Sequence, residues 1–377
     1  MTVRQQRLTT SLISLDVALA ALLDGLEPIA PSELPIAATL GSVSAEMPLP
    51  RPLPTGDFAI TDGWALCARD LVGASSYSPL PLTGPPVWVE AGDRMPGGSD
   101  CVVDSDLIEL FGSIFQVSGE ALPRQGVRHA GSDITEGSLT IAAGRRLRAL
   151  DLMLARAAGL KKLAIRCPRL HLINVPAMAG HTVTAQLIAE SARAAGADVI
   201  YSQAGGRDAS SVAKAYNRER CDLIVTVGGT GVGRTDATVE ALTMRGALIA
   251  HGIALQPGRT TALGKADNIP VIALAGAPDQ ALAAWWTLAL PVLDRLSGRL
   301  QYANTLPLAR KISSSVGIAD VALLKKSDAA WVPLAIGDLS LDHIVRADAW
   351  FAVPGSSEGF AAGTPVDAYM LIPSLTD

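Results

Sequence analysis

From Arg169 to about Gly298 the chain alternates short β-branched runs with helical stretches, and this alternation constrains its fold more than any other feature. Leu170–Val175, Asp198–Tyr201, Leu223–Val227 and Val271–Leu274 read as strands. Thr182–Ala195, Ala209–Arg220, Thr235–Met244 and Pro278–Leu296 read as helices, the first ended by Gly196. Strands and helices in turn predict a parallel sheet covered on both faces. In open sheets of this kind ligands gather at the carboxyl ends of the strands.

One strand end there is unusual. Thr226-Val-Gly-Gly-Thr-Gly-Val-Gly-Arg-Thr-Asp236 carries a buried strand through four glycines into a helix. Glycines allow positive φ and leave backbone N–H groups bare, and a helix N-terminus adds partial positive charge. The segment therefore reads as an anion cradle for a phosphate or pterin phosphate, or else as a tight strand-to-helix turn. It matches neither the Walker A spacing nor the dinucleotide GxGxxG pattern. Asp236 reads as a helix cap or as a Mg²⁺-binding or catalytic carboxylate. Gln256-Pro-Gly-Arg-Thr260 precedes another apolar strand. Its Arg259 reads as a bidentate phosphate clamp or as a solvated turn arginine. Thr61-Asp-Gly-Trp64 reads on spacing as a turn.

Around this centre the texture changes. Leu12 to Leu23 is an amphipathic helix with Leu12, Leu15, Ala18, Leu22 and Leu23 near one face. Asp16 interrupts it, and Asp24 and Glu27 follow where a cleavage site would stand. A second helix is expected over Ser32 to Ala45. The run Met47-Pro-Leu-Pro-Arg-Pro-Leu-Pro54 marks a domain boundary. Residues 55–124 form a small β module from Val87–Glu90, Cys101–Val103, Leu107–Leu110 and Ile114–Val117. Leu150 to Gly159 is helical and Lys161–Ile165 a strand. Residues 299–377 return to short strands (Ala322–Leu324, Trp331–Leu334, Ala349–Val353, Val366–Ile372), so a β-barrel-like domain closes the chain. Residues 1–54 and 125–168 make an arm, and 169–298 the α/β domain.

Composition excludes several classes. At 377 residues the chain can bury a core without staples. Cys67, Cys101, Cys167 and Cys221 form no CxxC pair, which argues against a zinc ribbon or disulfide scaffold and suits a reducing, cytoplasmic compartment. A net charge of −5 leaves no basic footprint for nucleic acid, and no apolar run is long enough to span a membrane. The five histidines show no ligand spacing and read as surface or packed residues.

In order, these pieces resemble the molybdopterin molybdenumtransferase family, the molybdenum-insertion enzymes related to the gephyrin E domain. Ser14-Leu-Asp-Val-Ala-Leu19 and Ala38-Thr-Leu-Gly-Ser-Val-Ser-Ala45 look like its first helices. Asp57-Phe-Ala-Ile-Thr-Asp-Gly-Trp-Ala65 is similar to its Asp-Asn-Ser-Ala-Met-Asp-Gly-Tyr-Ala signature. Gly131-Ser-Asp-Ile134 with Ala143-Gly144 resembles its arm, and Gly228 to Asp236 its glycine loop. Gln256-Pro-Gly-Arg259 and Leu274-Ala-Gly-Ala-Pro278 resemble its Lys-Pro-Gly-Lys and Leu-Pro-Gly-Asn-Pro motifs. The resemblance implies an elongated, multi-domain α/β and all-β fold, a homodimer, and Mg²⁺-dependent insertion of molybdate into adenylylated molybdopterin with release of AMP. It implies that Gly228, Gly229, Thr230, Gly231 and Gly233, with Pro257, Gly258 and Arg259, hold the phosphate. Asp62 and Asp236 are then the catalytic carboxylates, Asp236 doubling as a metal ligand, and molybdoenzyme maturation partners receive the product.

The departures from the family pattern are as specific. Its Ser-Thr-Gly-Asp-Glu-Leu segment is replaced by Pro176-Ala-Met-Ala-Gly-His181, which carries no acid. Its arm glutamate is Ser132. Ala91-Gly-Asp-Arg-Met-Pro96 is too short for its Thr-Gly-Ala segment. With carboxylate ligands lost, impaired insertion is expected. The alternative is a non-catalytic paralogue that binds or presents the cofactor, or scaffolds a partner enzyme.

Overall fold

A computed structural model of the chain describes all residues except 1–5, 7, 9–10, 46, 49–51, 136–138, 178–182, 217–219 and 372–377. The centre of the proline run, the helix start expected at Thr182 and most of the helix end expected before Arg220 lie outside the described residues. Two compact units form: Met1–Ala45 with Ala143–Ala149 and Lys162–Asp377, and Glu46–Ala142 with Leu150–Lys161.

The first unit contains the expected alternation. Its α/β layer runs β1 (Arg169–Asn174), α1 (Val183–Ala194), β2 (Asp198–Gln203), α2 (Ala209–Ala215), β3 (Leu223–Val227), α3 (Thr238–Arg245), β4 (Ala247–His251), β5 (Ala262–Ala266), β6 (Ile269–Leu274) and α4 (Pro278–Ala284). The strand order is β2-β1-β3-β6-β5-β4. The first four strands are parallel, with Leu172 level with Val225 and Val225 with Ile272. The sheet is not parallel throughout: β5 and β4 add an antiparallel edge. Both are rich in small residues, so their strand character is weak in the sequence.

β3 is buried along its whole length, as its run of Leu, Ile and Val dictates. One face of the sheet joins a core that runs from Ala18 and Leu22 of the helix Leu15–Leu23 through Leu172 and Val225 to Trp285 and Leu293. The expected helix Pro278–Leu296 is present with a widened π turn over Trp285–Ala289. Pro291 explains it: proline lacks an N–H and its ring crowds the carbonyl four residues earlier, so the turn before it opens.

The helix expected over Ser32–Ala45 does not form. Ser32–Pro35 is a strand pairing antiparallel with Lys162–Arg166, Ile36–Ala38 is a single 3₁₀ turn, and Val43–Ser44 is again a strand. Pro35 pushes Leu34 towards extended backbone, which overrides the helical spacing of Leu34, Ala37 and Ala38.

The C-terminal strands share a sheet with the rest of this unit. Ile13–Ser14 pairs in parallel with Ile253–Gln256, which pairs in parallel with Ala319–Ser327. Ala349–Val353, Pro365–Met370 and Asn304–Pro307 follow antiparallel, and Trp286 stacks on Trp350 at 5.7 Å between ring centroids.

The second unit is built from short antiparallel sheets, among them Val87–Val89 with Gly63–Leu66 and Cys101–Val103, and Ile108–Phe111 with Ile114–Val117. Leu71, Cys101, Val103 and Val117 form one small core there. The helix Ala149–Ala157 lies within a residue or two of its expected bounds.

Candidate functional site

A cavity of ≈ 450 Å³ opens at the carboxyl ends of β1, β3 and β6. Asn174, Gly228 to Val232, Thr184 of α1, Thr260 and Gln280 of α4 are among its walls. The glycine loop is therefore at the ligand position of an open α/β sheet.

Gly228 and Gly229 have φ of 100° and 72°, conformations that L-residues rarely adopt. Gly231 is needed for a different reason, since its φ is not positive. A Cβ there would stand 2.7 Å from Asp236 Oδ2, so the loop closes onto that carboxylate only with glycine.

The loop's carbonyls are each claimed by a donor. Thr238 Oγ1 donates to Gly228 O at 2.8 Å, and His251 Nε2 to Thr230 O at 2.9 Å. The Gln6 amide donates to Gly229 O at 3.0 Å and to Gly231 O at 2.8 Å. In a trans peptide the next N–H points opposite its carbonyl, so these contacts turn the N–H groups of residues 229 to 231 to the other side. Among the described residues those three N–H groups have no hydrogen-bond partner. His251 is 5% exposed and must carry its proton on Nε2 to donate; it is packed, as expected, and also holds the loop.

Asp236 shapes the loop. Oδ2 accepts from Gly233 N at 3.0 Å, and Oδ1 pairs with the Arg207 guanidinium at 2.9 Å. Gly233 thus spends its N–H on Asp236 and is not among the walls of the cavity. Arg207 also donates to Pro176 O at 2.5 Å and to Thr235 Oγ1 at 3.2 Å, tying the end of β1 to the loop. Its place is set by its neighbour Asp208, which caps α2. The Ser211 hydroxyl at 2.6 Å and the Ser211 N–H at 2.9 Å hold the Asp208 carboxyl below its usual range. Among the described residues Arg207 and Asp236 are the charged ones lining the cavity, and they neutralise each other.

From the Gln256–Thr260 turn it is Thr260 that reaches the cavity, its Oγ1 3.3 Å from Thr230 Oγ1. Pro257, Gly258 and Arg259 are not among the lining residues, and the Arg259 side chain is exposed. Asp62 belongs to the second unit, where its carboxylate accepts from Ala91 N at 2.8 Å. Asn174 is 3% exposed, and its amide nitrogen is buried with no partner among the described residues.

The structure adds Gln6, Arg207 and His251 to the residues read from sequence. Only Arg207 had a usable signal: Gly205-Gly-Arg-Asp208 follows β2 on the same sheet edge as the glycine loop. Gln6 and His251 reach the loop across 225 and 21 residues, and no local pattern announces such contacts.

Residues 13–159 match the family model described as the MoeA N-terminal region (domain I and II), and residues 179–295 the probable molybdopterin binding domain. The chain is 25% identical to the molybdopterin molybdenumtransferase of Synechococcus elongatus over 389 residues, 91% of this chain and 95% of that one. It is 26% identical to molybdopterin molybdenumtransferase 2 of Mycobacterium tuberculosis over 309 residues, 71% of this chain and 76% of the relative. The solved molybdopterin biosynthesis MoeA protein from Pyrococcus horikosii superposes with a TM-score of 0.73 at 24% identity, covering 97% of this chain and all of that one. Fold, motif order and both family matches agree: the chain belongs to the molybdopterin molybdenumtransferase (MoeA) family of molybdenum-cofactor biosynthesis.

Proposed function

We propose that the chain binds a phosphorylated pterin, molybdopterin in its adenylylated form, in the cavity beside the glycine loop, and that molybdate is inserted there with release of AMP. The observation that carries this reading is the set of loop N–H groups at residues 229 to 231, turned away from anchored carbonyls in a loop that lines the cavity. Such donors suit an anhydride phosphate, and they stabilise the charge that grows on it as AMP leaves. Asn174, Thr230 and Thr260 supply polar contacts for the pterin or ribose. In this reading Asp236 and Arg207 hold the loop, Arg259 meets the outer phosphate, and Asp62 acts in the family's homodimer. Light scattering near twice 39.0 kDa tests the dimer.

The Mg²⁺ that the family implies finds a poor donor set here. Asp236 spends one oxygen on Arg207 and the other on Gly233, and no acidic residue occurs from Asn174 to Ala189. No cluster of three metal-ligating side chains exists among the described residues.

The same two features favour a second reading, a paralogue that binds and presents the cofactor without turnover. Incubation with adenylylated molybdopterin and molybdate separates them. Binding with AMP release at least tenfold below an intact family member supports slow insertion, and binding without release supports the carrier. Failure to bind refutes both.

A further inference from the structure

We infer that Gln6 is a positioning residue of the ligand site: from the N-terminal segment it presets the glycine loop for an anion. The inference rests on the proposed function, since it assigns a residue to that same site.

One side chain makes three hydrogen bonds there. The two hydrogens of Nε2 go to Gly229 O and Gly231 O, and Oε1 accepts from Val239 N at 2.8 Å. Val239 is the second residue of α3, whose N-cap position is Ala237, a residue with no side-chain acceptor. Gln6 therefore caps the helix and clamps the loop that feeds it.

The loop needs such a clamp. Residues 228, 229, 231 and 233 are glycine, so the free segment samples a wide range of backbone conformations. Ordering it only when the ligand arrives would subtract from affinity, whereas a loop already ordered binds more tightly. Gln6 orients the peptides 229–230 and 231–232 by their carbonyls, which aims the N–H of Thr230 away from Gln6.

A purely structural cap makes a different forecast. A carboxylate is at least as good as an amide at a helix N-terminus, so Gln6→Glu would preserve the cap. It cannot donate to Gly229 O or Gly231 O, so the clamp is lost. Gln6→Met removes both functions without adding charge. AMP is the probe, titrated calorimetrically into the full chain, with thermal unfolding measured in parallel. Both variants should bind AMP on the order of tenfold more weakly than wild type at a temperature where thermal unfolding shows each to be folded.

Wild-type affinity in Gln6→Glu or in Gln6→Met overturns the inference. Weakening in Gln6→Glu alone reports charge repulsion and likewise overturns it. If wild type binds neither AMP nor adenylylated molybdopterin, the proposed function falls, and the ligand role of Gln6 with it.

Discussion

Replacing Arg207 by methionine is the most direct test of how the site is held. Methionine keeps much of the aliphatic bulk and removes three hydrogen bonds, to Asp236 Oδ1, Pro176 O and Thr235 Oγ1. A net hydrogen bond contributes about 0.5–1.5 kcal/mol, more when charged. The Arg207 and Asp236 side chains are 23% and 16% exposed, so solvent screens part of the pair. The sum is about 2–4 kcal/mol, with the Asp236 carboxylate left uncompensated. Asp236→Asn alone should cost about 1–2 kcal/mol. In the double variant that lone charge is gone, so the two costs should fall short of additivity by about 1–2 kcal/mol. Urea unfolding measures all three, and AMP affinity should drop at least tenfold in Arg207→Met. An Arg207→Met protein within about 0.5 kcal/mol of wild type would refute the reasoning, as would strictly additive costs.

Two further predictions concern single positions. Gly231→Ala puts its Cβ 2.7 Å from Asp236 Oδ2 and must displace that carboxylate from Gly233 N. AMP affinity should fall on the order of tenfold, and further in Gly231→Val, with circular dichroism unchanged; wild-type affinity in either variant removes the loop from the site. Asp294 is 5% exposed, and its burial pushes its carboxyl from 3.8 up to about 6 despite the attraction of Arg299 at 3.3 Å. The folded state then holds this proton more tightly than the unfolded one. Stability therefore falls as pH rises from about 4 through about 6, by up to roughly 3 kcal/mol. Asp294→Asn should flatten that fall in thermal unfolding between pH 4 and 8; parallel pH profiles would count against the assignment.

The parts of the fold that local chemistry dictates were legible in the sequence. Leu223–Val227 is a strand because its residues are branched, all but Thr226 apolar, and buried on both faces, and Gly228 ends it because the chain turns through positive φ. The strands of the second unit are bounded by the Gly, Pro and Asp clusters that interrupt its sheets. Misreadings arose where pairing outweighed propensity. The strand Ser32–Pro35 exists because Lys162–Arg166 lies beside it, 127 or more residues away in the chain. β5 has the sequence Ala-Leu-Gly-Lys-Ala, which no strand scale favours, yet it is zipped to β6 along five residue pairs. At the site, the glycines and Asp236 could be read from spacing. Arg207 carried a signal in Gly205-Gly-Arg-Asp208, but Gln6 and His251 did not, because a hydrogen bond across the fold leaves no trace in the neighbouring residues.

The shared C-terminal sheet has a consequence for synthesis. Ile253–Gln256, which leads into the turn that delivers Thr260 to the cavity, is flanked by Ile13–Ser14 on one side and Ala319–Ser327 on the other. A nascent chain that has emerged through Leu274 has made every strand of the α/β layer, but this segment still shows an open edge to solvent or to a chaperone. These pairings join segments far apart in the chain, so completing this sheet waits on the last fifth of the polypeptide. A fragment cut at Gly298 would keep the ligand cavity's lining residues and lose the strand that covers this edge. Such a fragment is poised for edge-to-edge association, so an isolated α/β domain is the wrong vehicle for studying the site.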